Sequence, residues 1–392
     1  MNEYIKRVAE ENLTKALAQL KIAIILGARQ VGKTTLTKHV LTNRNVSFLN
    51  LDIEPNKQSL LAAASLSPLD AIKSLGNPEI LVIDEAQRLP ETGRIVKGWL
   101  DANVSTKIIL LGSSSLNLIS QAAESLTGRN EKIFLPPLLF KEVIASQPWY
   151  SQLFTDQQIE EKFQDQIQAL LMQSLAFGCY PETTKTTDKQ TFLLNLAADY
   201  LLKDILQIGL VKTPELLKNL LMLLAHQIGS EVSISELATS LGIARATVER
   251  YLELLEQTFV IFKLPAFSTN PRKEINKSQK IYFWDTGIRN ALLNDFSTNP
   301  LRADIGKLWE NWVIAEFAKK NLLDNKRKNL YFWRSRSNGE VDLVAKEGER
   351  ISAYEVKWKA QSLRQRAFSQ KYNIKVKIVD HLKPLSGVDQ ED

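Results

Sequence analysis

A glycine-rich segment with one lysine stands near the start of the chain, directly after an apolar run. Residues 27–34 read Gly-Ala-Arg-Gln-Val-Gly-Lys-Thr and follow Ile22–Leu26. When a buried strand enters such a loop and a helix leaves it, backbone N–H groups and the helix N-terminus can cradle the phosphates of a nucleotide. The spacing is that of a complete Walker A motif, so the sequence predicts binding of ATP or GTP.

Several positions of this motif have a predicted role. Lys33 would reach the β- and γ-phosphates, and the Thr34 hydroxyl would ligate Mg²⁺. Gly27 and Gly32 permit backbone angles and a close phosphate approach that a Cβ would block. The predicted nucleotide-binding residues are Gly27, Ala28, Arg29, Gln30, Val31, Gly32, Lys33, Thr34 and Thr35.

A second apolar run ends in two acids. Ile80–Ile83 is followed by Asp84 and Glu85, which is the Walker B form. Asp84 would hold the magnesium through water, and Glu85 would orient and polarise the attacking water. A buried strand that merely ends in solvated acids is the alternative. Glu directly after Asp favours a hydrolase over a passive nucleotide binder.

Four further polar residues are candidates for the same site. The apolar run Lys107–Leu111 leads to Ser113 and Ser114. Either serine would sit between the Walker B acids and the γ-phosphate. The alternative is an ordinary Ser-rich turn. Arg129 is a candidate arginine finger for the γ-phosphate of a neighbouring subunit, and the alternative is a surface cation near a helix C-terminus. Asp52 would help to hold the ligand shell of the magnesium ion, or it would cap the helix that follows.

The motifs together resemble a known family. GARQVGKTT, ILVIDEAQ, LLGSSSLNL and ESLTGR, in this order, resemble the AAA-type P-loop ATPases of bacteria and archaea that carry a C-terminal domain of unknown function. FGCYPE (177–182), IYFWDTGIRNAL (281–292), GKLWENWVIAEF (306–317) and YFWRSRSNGEVDLV (331–344) look like that family too. Members usually have Pro where Ala28 stands and Gly where Cys179 stands. Neither side chain contacts nucleotide, so the resemblance still implies ATP as the cofactor, with Mg²⁺.

Composition predicts a soluble, cytoplasmic, multidomain protein. The chain has 392 residues, 44% of them hydrophobic and 24% charged, and more than one core is expected at this length. Its single cysteine, Cys179, excludes an intramolecular disulfide. No stretch approaches the roughly 18–20 apolar residues of a membrane span, and the N-terminus lacks the apolar core of a signal peptide. The net charge of +6 is compatible with nucleic-acid contact.

The first half of the chain divides into two parts. From Lys21 to about Leu139, apolar strands alternate with helical segments, which indicates an α/β fold with a parallel sheet and helices on both faces. From Phe140 to about Gln227 the pattern is helical, and this part resembles the lid or linker that AAA-type ATPases place over the nucleotide. The predicted strands are Ile22–Leu26, Val46–Leu51, Ile80–Ile83, Ile108–Leu111 and Lys132–Leu135.

Residues 230–265 predict a helix-turn-helix with a wing. Ser233 caps a first helix, Leu241–Ile243 makes a tight turn, Ala244–Glu256 is a second helix and a strand follows. Arg245, Thr247, Glu249 and Arg250 lie on or near the face that a recognition helix turns to the major groove of DNA. Arg245, Thr247 and Arg250 are therefore the predicted DNA-binding residues. The alternative is a protein-docking module, because winged helices serve that role as well.

The C-terminal part holds a second group of reactive residues. Glu310 lies in a predicted helix that Asp304 would cap, and Asp342, Glu355 and Lys357 lie in the strands that follow. Glu355 and Lys357 are two residues apart on a strand, so both project from one face. This order resembles the restriction-endonuclease-like nuclease core. Asp342 and Glu355 would hold Mg²⁺, Lys357 would position water, and Glu310 would add a ligand. An edge of alternating charges is the alternative.

The predicted architecture therefore has four parts. An AAA-type P-loop core occupies 1–139, a helical lid or linker 140–227, a winged helix 228–300 and an α/β restriction-endonuclease-like domain 301–392. Two functions fit this order. The chain is an ATPase that acts on DNA and cuts it, or it is an ATP-dependent switch whose C-terminal domains only bind DNA or protein. The family resemblance also implies assembly as a homo-oligomer.

Overall fold

A computed structural model describes residues 4–113, 128–207, 213–268, 279–324, 328–335, 339–359 and 366–388. The chain divides into two compact units. The first unit comprises Lys6–Pro136 and Gln257–Phe259, and the second comprises Met1–Ile5, Pro137–Glu256 and Val260–Asp392. Within the described ranges, no helix is both long enough and apolar enough to cross a membrane.

The first unit is an α/β layer structure built on one five-stranded sheet. Its strands are β1 (Ile22–Leu26), β2 (Val46–Asn50), β3 (Ile80–Asp84), β4 (Lys107–Gly112) and β5 (Asn130–Phe134). Its helices are α1 (Ala9–Leu17), α2 (Lys33–Val40), α3 (Glu54–Ala64), α4 (Pro68–Ser74) and α5 (Thr92–Asp101). The spatial order is β2-β3-β4-β1-β5, and every neighbouring pair is parallel. The predicted parallel sheet is confirmed.

The central strands of this sheet are buried along their length. Every residue of β1 and of β3 is buried, as near-continuous apolar runs require when helices cover both faces. Leu26 at the end of β1 pairs with Gly112 at the end of β4, and Asn50 at the end of β2 pairs with Asp84 at the end of β3. The carboxyl ends of these strands therefore lie at one edge of the sheet.

The second unit contains ten described α-helices and two small sheets. Its helices are α6 (Phe140–Ala145), α7 (Asp156–Lys162), α8 (Gln164–Phe177), α9 (Lys189–Gln207), α10 (Pro214–His226), α11 (Ile234–Leu241), α12 (Arg245–Gln257), α13 (Thr286–Leu293) and α14 (Ile305–Leu323), followed near the C-terminus by α15 (Arg366–Tyr372). Its strands are β6 (Glu231–Val232), β7 (Ile261–Pro265), β8 (Gln279–Phe283), β9 (Asn329–Arg334), β10 (Glu340–Glu347), β11 (Arg350–Val356) and β12 (Val376–Val379).

Residues 214–268 and 279–283 contain a helix pair beside a three-stranded antiparallel sheet. The sheet order is β6-β8-β7, and α11 and α12 lie between β6 and β7 in the chain. Ser233 caps α11 by accepting a hydrogen bond from the Glu236 N–H at 3.3 Å. Gly242 ends α11 with a left-handed φ of 65°, which turns the chain into α12. The predicted cap and turn are both present.

Residues 305–379 form a helix and a four-stranded sheet of order β12-β11-β10-β9. β9, β10 and β11 are antiparallel, whereas β11 and β12 are parallel and α15 connects them. The long α14 packs against this sheet with Trp309 and Val313 fully buried. Asp304 stands at the N-cap position of α14 as predicted, but its side chain makes no capping hydrogen bond. The Asp304 carboxylate instead accepts hydrogen bonds from Arg289 and Arg302.

Gly178 joins α8 to the segment that follows through a close approach to a buried acid. Its φ is 68°, and a Cβ on Gly178 would overlap the carboxylate of Asp285. That carboxylate is buried and accepts hydrogen bonds from the backbone N–H groups of Cys179 at 2.7 Å and Gly287 at 2.9 Å. Both the conformation and the space at this position therefore require glycine.

We predict that Gly178→Ala lowers the free energy of unfolding by about 3 kcal/mol or more, because it adds steric overlap to backbone strain. Gly242→Ala is the matched control in the same unit. Its φ of 65° is nearly the same, but its ψ of 32° is that of an ordinary left-handed residue, whereas the ψ of −166° at Gly178 belongs to a region that is essentially restricted to glycine. A Cβ on Gly242 meets nothing within 4 Å, so only the left-handed strain of about 1 kcal/mol applies. Urea unfolding of both variants measures the difference, and equal losses would contradict the role given to Asp285.

Candidate functional site

The loop between β1 and α2 wraps closely around the side chain of Lys33. Lys33 is 6% exposed, and its Nζ donates hydrogen bonds to the carbonyls of Gly27 and Ala28, both at 2.9 Å. Gly32 precedes α2 with a φ of 95°. A Cβ on Gly27 would overlap the carbonyl of Leu135, so the two loop glycines are required by the local geometry.

A buried arginine supports this loop from the N-terminal segment. Arg7 is 4% exposed, and its guanidinium donates to the carbonyl of Val31 at 2.8 Å and to that of Pro136 at 2.7 Å. These bonds tie the tip of the loop to the chain that follows β5. Sequence reasoning missed Arg7, because no motif surrounds it.

The two acids after β3 lie beside the N-terminus of α2. The Thr34 hydroxyl donates to Asp84 Oδ2 at 2.7 Å, and the Glu85 N–H donates to Asp84 Oδ1 at 2.9 Å. Thr34 and Asp84 thus offer adjacent hydroxyl and carboxylate oxygens, the hard donors that Mg²⁺ prefers. These residues fit the predicted cation. Burial raises the pKa of the Glu85 carboxyl, although the nearby Lys33 charge opposes the shift.

Gln87 connects the acid after β3 to the end of β4. Its Nε2 donates to Glu85 Oε2 at 2.5 Å and to Ser113 Oγ at 3.0 Å. Ser113 is 2% exposed and directly follows β4. Of the two serines predicted for this position, Ser113 makes this contact, while Ser114 lies outside the described residues.

Two other predicted residues of this unit form ion pairs. Asp52 Oδ1 lies 2.5 Å from Arg88 Nε. Helix α3 begins two residues later with Ile53 at its N-cap, so the prediction that Asp52 caps it is wrong. Arg129 forms an ion pair with Asp101, and its side chain is 47% exposed. The finger role of Arg129 stays a prediction.

The second unit brings Asp342, Glu355 and Lys357 together. Asp342 lies on β10, and its Oδ2 accepts a hydrogen bond from the Val356 N–H of β11 at 2.8 Å. Lys357 directly follows β11, with its Nζ 3.0 Å from Glu355 Oε1 and 3.8 Å from Asp342 Oδ2. Burial opposes the charge of Lys357, but Asp342 and Glu355 outweigh it and raise the pKa of this lysine.

This cluster carries negative charge that its own partners do not fully satisfy. Glu355 Oε2 is buried and has no hydrogen-bond partner. Burial, together with the charge of Glu310, raises the pKa of the Asp342 carboxyl to about 7. A cation between Asp342 and Glu355 would relieve both effects, so these two carboxylates fit one. Within the described residues, however, no group of three or more His, Cys, Asp or Glu side chains could hold a metal.

Glu310 is held by residues of the three-stranded sheet. Its Oε1 accepts hydrogen bonds from the Tyr282 hydroxyl at 2.7 Å and from Lys280 Nζ at 3.1 Å. Lys280 is 2% exposed and also lies 2.5 Å from Glu340 Oε1. Burial opposes its charge, but Glu310, Glu340 and Asp342 outweigh it and raise the pKa of Lys280. A direct ligand role for Glu310 stays a prediction.

The predicted recognition face on α12 is open to solvent. Arg245, Glu249 and Arg250 are exposed and Thr247 is half-buried, while Val248 and Tyr251 point into the core. The exposure of Arg245, Thr247 and Arg250 does not by itself identify a ligand. Their role therefore stays a prediction.

Three family models match the chain. Residues 19–144 match an AAA domain, residues 168–299 a domain of unknown function (DUF8612) and residues 305–387 another domain of unknown function (DUF4143). The AAA match contains the Walker A and Walker B residues described above. The comparisons support a P-loop ATPase family.

Relatives of this chain occur in bacteria and archaea. An uncharacterized protein of Mycobacterium tuberculosis is 29% identical over 361 residues, which are 90% of this chain and 74% of that protein. An uncharacterized protein of Methanocaldococcus jannaschii is 28% identical over 352 residues, 86% of this chain and 75% of that protein. The Walker-type ATPase structure of Pyrococcus abyssi is 17% identical with a TM-score of 0.48, and the match covers 74% of this chain and 96% of that one.

Sequence reasoning missed two polar residues besides Arg7, one in each unit. Gln87 stands two positions after Glu85 in the stretch ILVIDEAQ, and a polar side chain so close to Walker B was a usable signal. Lys280 directly precedes the stretch IYFWDTGIRNAL. A lysine at the start of a strand is ordinarily solvated, so the neighbouring sequence did not indicate that Lys280 is buried.

We predict that Lys280→Met lowers the free energy of unfolding by about 3–5 kcal/mol, because it leaves buried carboxylates without their cation. Lys263→Met is the control on the adjacent strand. Lys263 pairs with Glu256 at 2.9 Å, but both side chains are partly exposed, at 25% and 39%, so the loss should stay below about 1 kcal/mol. Urea unfolding compares the two variants, and similar losses would show that the Lys280 cluster is not stabilising.

Proposed function

We propose that this protein is a Mg²⁺-dependent ATPase that acts on DNA through a winged helix and a nuclease-like C-terminal domain. The observation that carries the ATPase part is the joint placement of Lys33, Thr34, Asp84 and Glu85 at the carboxyl edge of one parallel sheet. Nucleotide phosphates are bound at such an edge when a loop and a helix N-terminus meet there.

The residues of the ATPase site would divide the work of hydrolysis. The loop N–H groups and Lys33 bind the phosphates, and Thr34 and Asp84 hold Mg²⁺, which offsets charge on the phosphates. Glu85 is half-buried and burial raises the pKa of its carboxyl, so its carboxylate is a stronger base than an exposed one. It would accept the proton of the attacking water.

For the ATPase, we predict that Lys33→Ala abolishes ATP binding, since the buried ammonium is the cation for the β- and γ-phosphates. Glu85→Gln should bind ATP with unchanged affinity while turnover falls at least about 100-fold, because only the base is lost. Fluorescent-nucleotide titration and phosphate release measure the two properties. Equal loss of binding and turnover in Glu85→Gln would contradict the role of Glu85.

A homo-oligomer would give Arg129 a role in this reaction. Its ion pair with Asp101 is half-exposed, so exchanging Asp101 for a phosphate of an adjoining subunit costs little. Arg129→Ala subunits should then regain turnover when they are mixed with Glu85→Gln subunits. Parental turnover by Arg129→Ala alone would remove Arg129 from the mechanism.

The element orders of the second unit support the DNA part of the proposal. From α10 to β8 the order is helix, strand, helix, helix, strand, strand, which is typical of a winged helix. From α14 to β12 the order is helix, three strands, helix, strand, with Asp342 and Glu355 on neighbouring strands. A restriction-endonuclease-like core has this order and this placement of acids. The exposed Arg245 and Arg250 would contact DNA phosphates.

In this nuclease proposal the chain's own residues orient the reaction. Asp342 and Glu355 would hold Mg²⁺, which supplies an acidified water and charge stabilisation at the scissile phosphate. Lys357 is 41% exposed and stays charged beside both carboxylates, so it can reach an incoming phosphate. The buried Glu355 Oε2 without a partner is the observation that carries this part.

We predict that duplex DNA is cut in the presence of Mg²⁺ and that Glu355→Ala and Lys357→Ala each lower the cutting rate at least about 100-fold. Glu349→Ala is the control, because Glu349 is exposed in the turn between β10 and β11. Gel analysis of DNA with and without ATP measures cutting. Cutting that survives Lys357→Ala would come from a contaminant or another site.

A second function is favoured by one observation. Only two carboxylates, rather than three or more ligands, converge at the C-terminal cluster among the described residues. An ATP-dependent switch, whose C-terminal domains bind DNA or protein without cutting, fits that smaller donor set. DNA that stays intact but shifts on a native gel would support the switch.

A further inference from the structure

The amide of Gln87 has no role in the hydrolysis scheme above, although it contacts two groups of the ATPase site. Its Nε2 uses both hydrogens, one toward Glu85 Oε2 at 2.5 Å and one toward Ser113 Oγ at 3.0 Å. We propose that Gln87 is a positioning residue for ATP hydrolysis, which holds Glu85 and Ser113 in one hydrogen-bonded unit. This inference rests on the proposed ATPase function.

The local backbone is built to return Gln87 toward Glu85. Glu85 has a left-handed φ of 51°, an uncommon conformation for a residue with a side chain. A single 3₁₀ turn, Ala86–Arg88, follows it, and the Arg88 N–H donates to the Glu85 carbonyl at 2.9 Å. The ion pair between Arg88 and Asp52 anchors the far end of this turn. Backbone strain of this kind concentrates at functional sites.

The direction of the hydrogen bonds assigns a task to each partner. Ser113 Oγ accepts from Gln87, so its own hydroxyl hydrogen is directed elsewhere and can be donated to a phosphate oxygen. Glu85 accepts from Gln87 with Oε2, which leaves Oε1 to accept from a water. The amide thereby fixes the base and a phosphate contact relative to one another.

A purely structural role for Gln87 does not account for its amide. Gln87 Oε1 is buried and has no hydrogen-bond partner, which costs stability. An apolar side chain of similar size would fill the same space without that cost. Retaining an amide with an unsatisfied acceptor is understandable where its two donor hydrogens have a function.

The test compares steady-state ATP hydrolysis and nucleotide binding in the full-length chain. Gln87→Leu removes both donors at nearly constant volume. We expect kcat to fall about 10- to 100-fold, the effect of a misoriented catalytic group, while the Kd for a fluorescent ATP analogue changes less than about 2-fold. Gln58→Leu is the matched control, because Gln58 makes the same amide–carboxylate contact, to Glu54 at 2.6 Å, on the exposed surface of α3. It should leave kcat unchanged.

A double-mutant cycle with Ser113→Ala tests whether the two partners act as a unit. If Gln87 orients Ser113, Ser113→Ala should lower kcat much less in the Gln87→Leu background than in the parental protein. Additive effects would overturn the shared unit. Parental kcat in Gln87→Leu, or a change in Kd that accounts for the whole loss, would overturn the positioning role.

Failure of the ATPase proposal would give a different experimental result from failure of the Gln87 inference. If the parental protein hydrolyses ATP and Lys33→Ala does not, the ATPase stands and the Gln87 variants decide the inference alone. If the parental protein does not hydrolyse ATP, the ATPase proposal fails and the role of Gln87 falls with it.

Discussion

Parallel strand pairing in the first unit determines where the polar groups at the strand ends of the proposed ATPase site lie. β4 pairs with β1 on one side and with β3 on the other, and all three run in the same direction. The residues that follow these strands, Gly27, Ser113 and Glu85, must therefore meet at one edge of the sheet. The position of the site therefore follows from the pairing of the strands.

The C-terminal cluster depends on a different constraint, because its charges come from separate elements. Lys280 belongs to β8, Glu310 to α14 and Asp342 to β10. Asn311, which is fully buried, accepts from the Phe283 N–H and donates to the Phe283 carbonyl, both at 2.9 Å. This exchange fixes α14 against the end of β8 and so sets Glu310 opposite Lys280. Charges buried in this way are tolerated only when paired.

The difference between these constraints explains what could be predicted from the sequence. Strand ends in a parallel sheet are readable from apolar runs, so Lys33, Asp84 and Glu85 could be assigned to one site. Asp342, Glu355 and Lys357 were likewise readable, because they lie on consecutive strands. Lys280 was not, since its burial depends on the packing of α14 against β8. Asp304 occupies the predicted N-cap position of α14, but its carboxylate accepts from two arginines instead of from the helix N-terminus.

Nucleotide binding at the proposed ATPase site would exchange one set of hydrogen-bond partners for another. The Lys33 ammonium is already satisfied by the carbonyls of Gly27 and Ala28, and the Thr34 hydroxyl by Asp84. A buried ammonium without partners would be costly, so these internal bonds let the loop fold. Phosphate oxygens carry full charge and bind an ammonium more strongly than carbonyls do. The affinity that Lys33 contributes is therefore the difference between two sets of hydrogen bonds, and it is smaller than the attraction between a lysine and a phosphate alone.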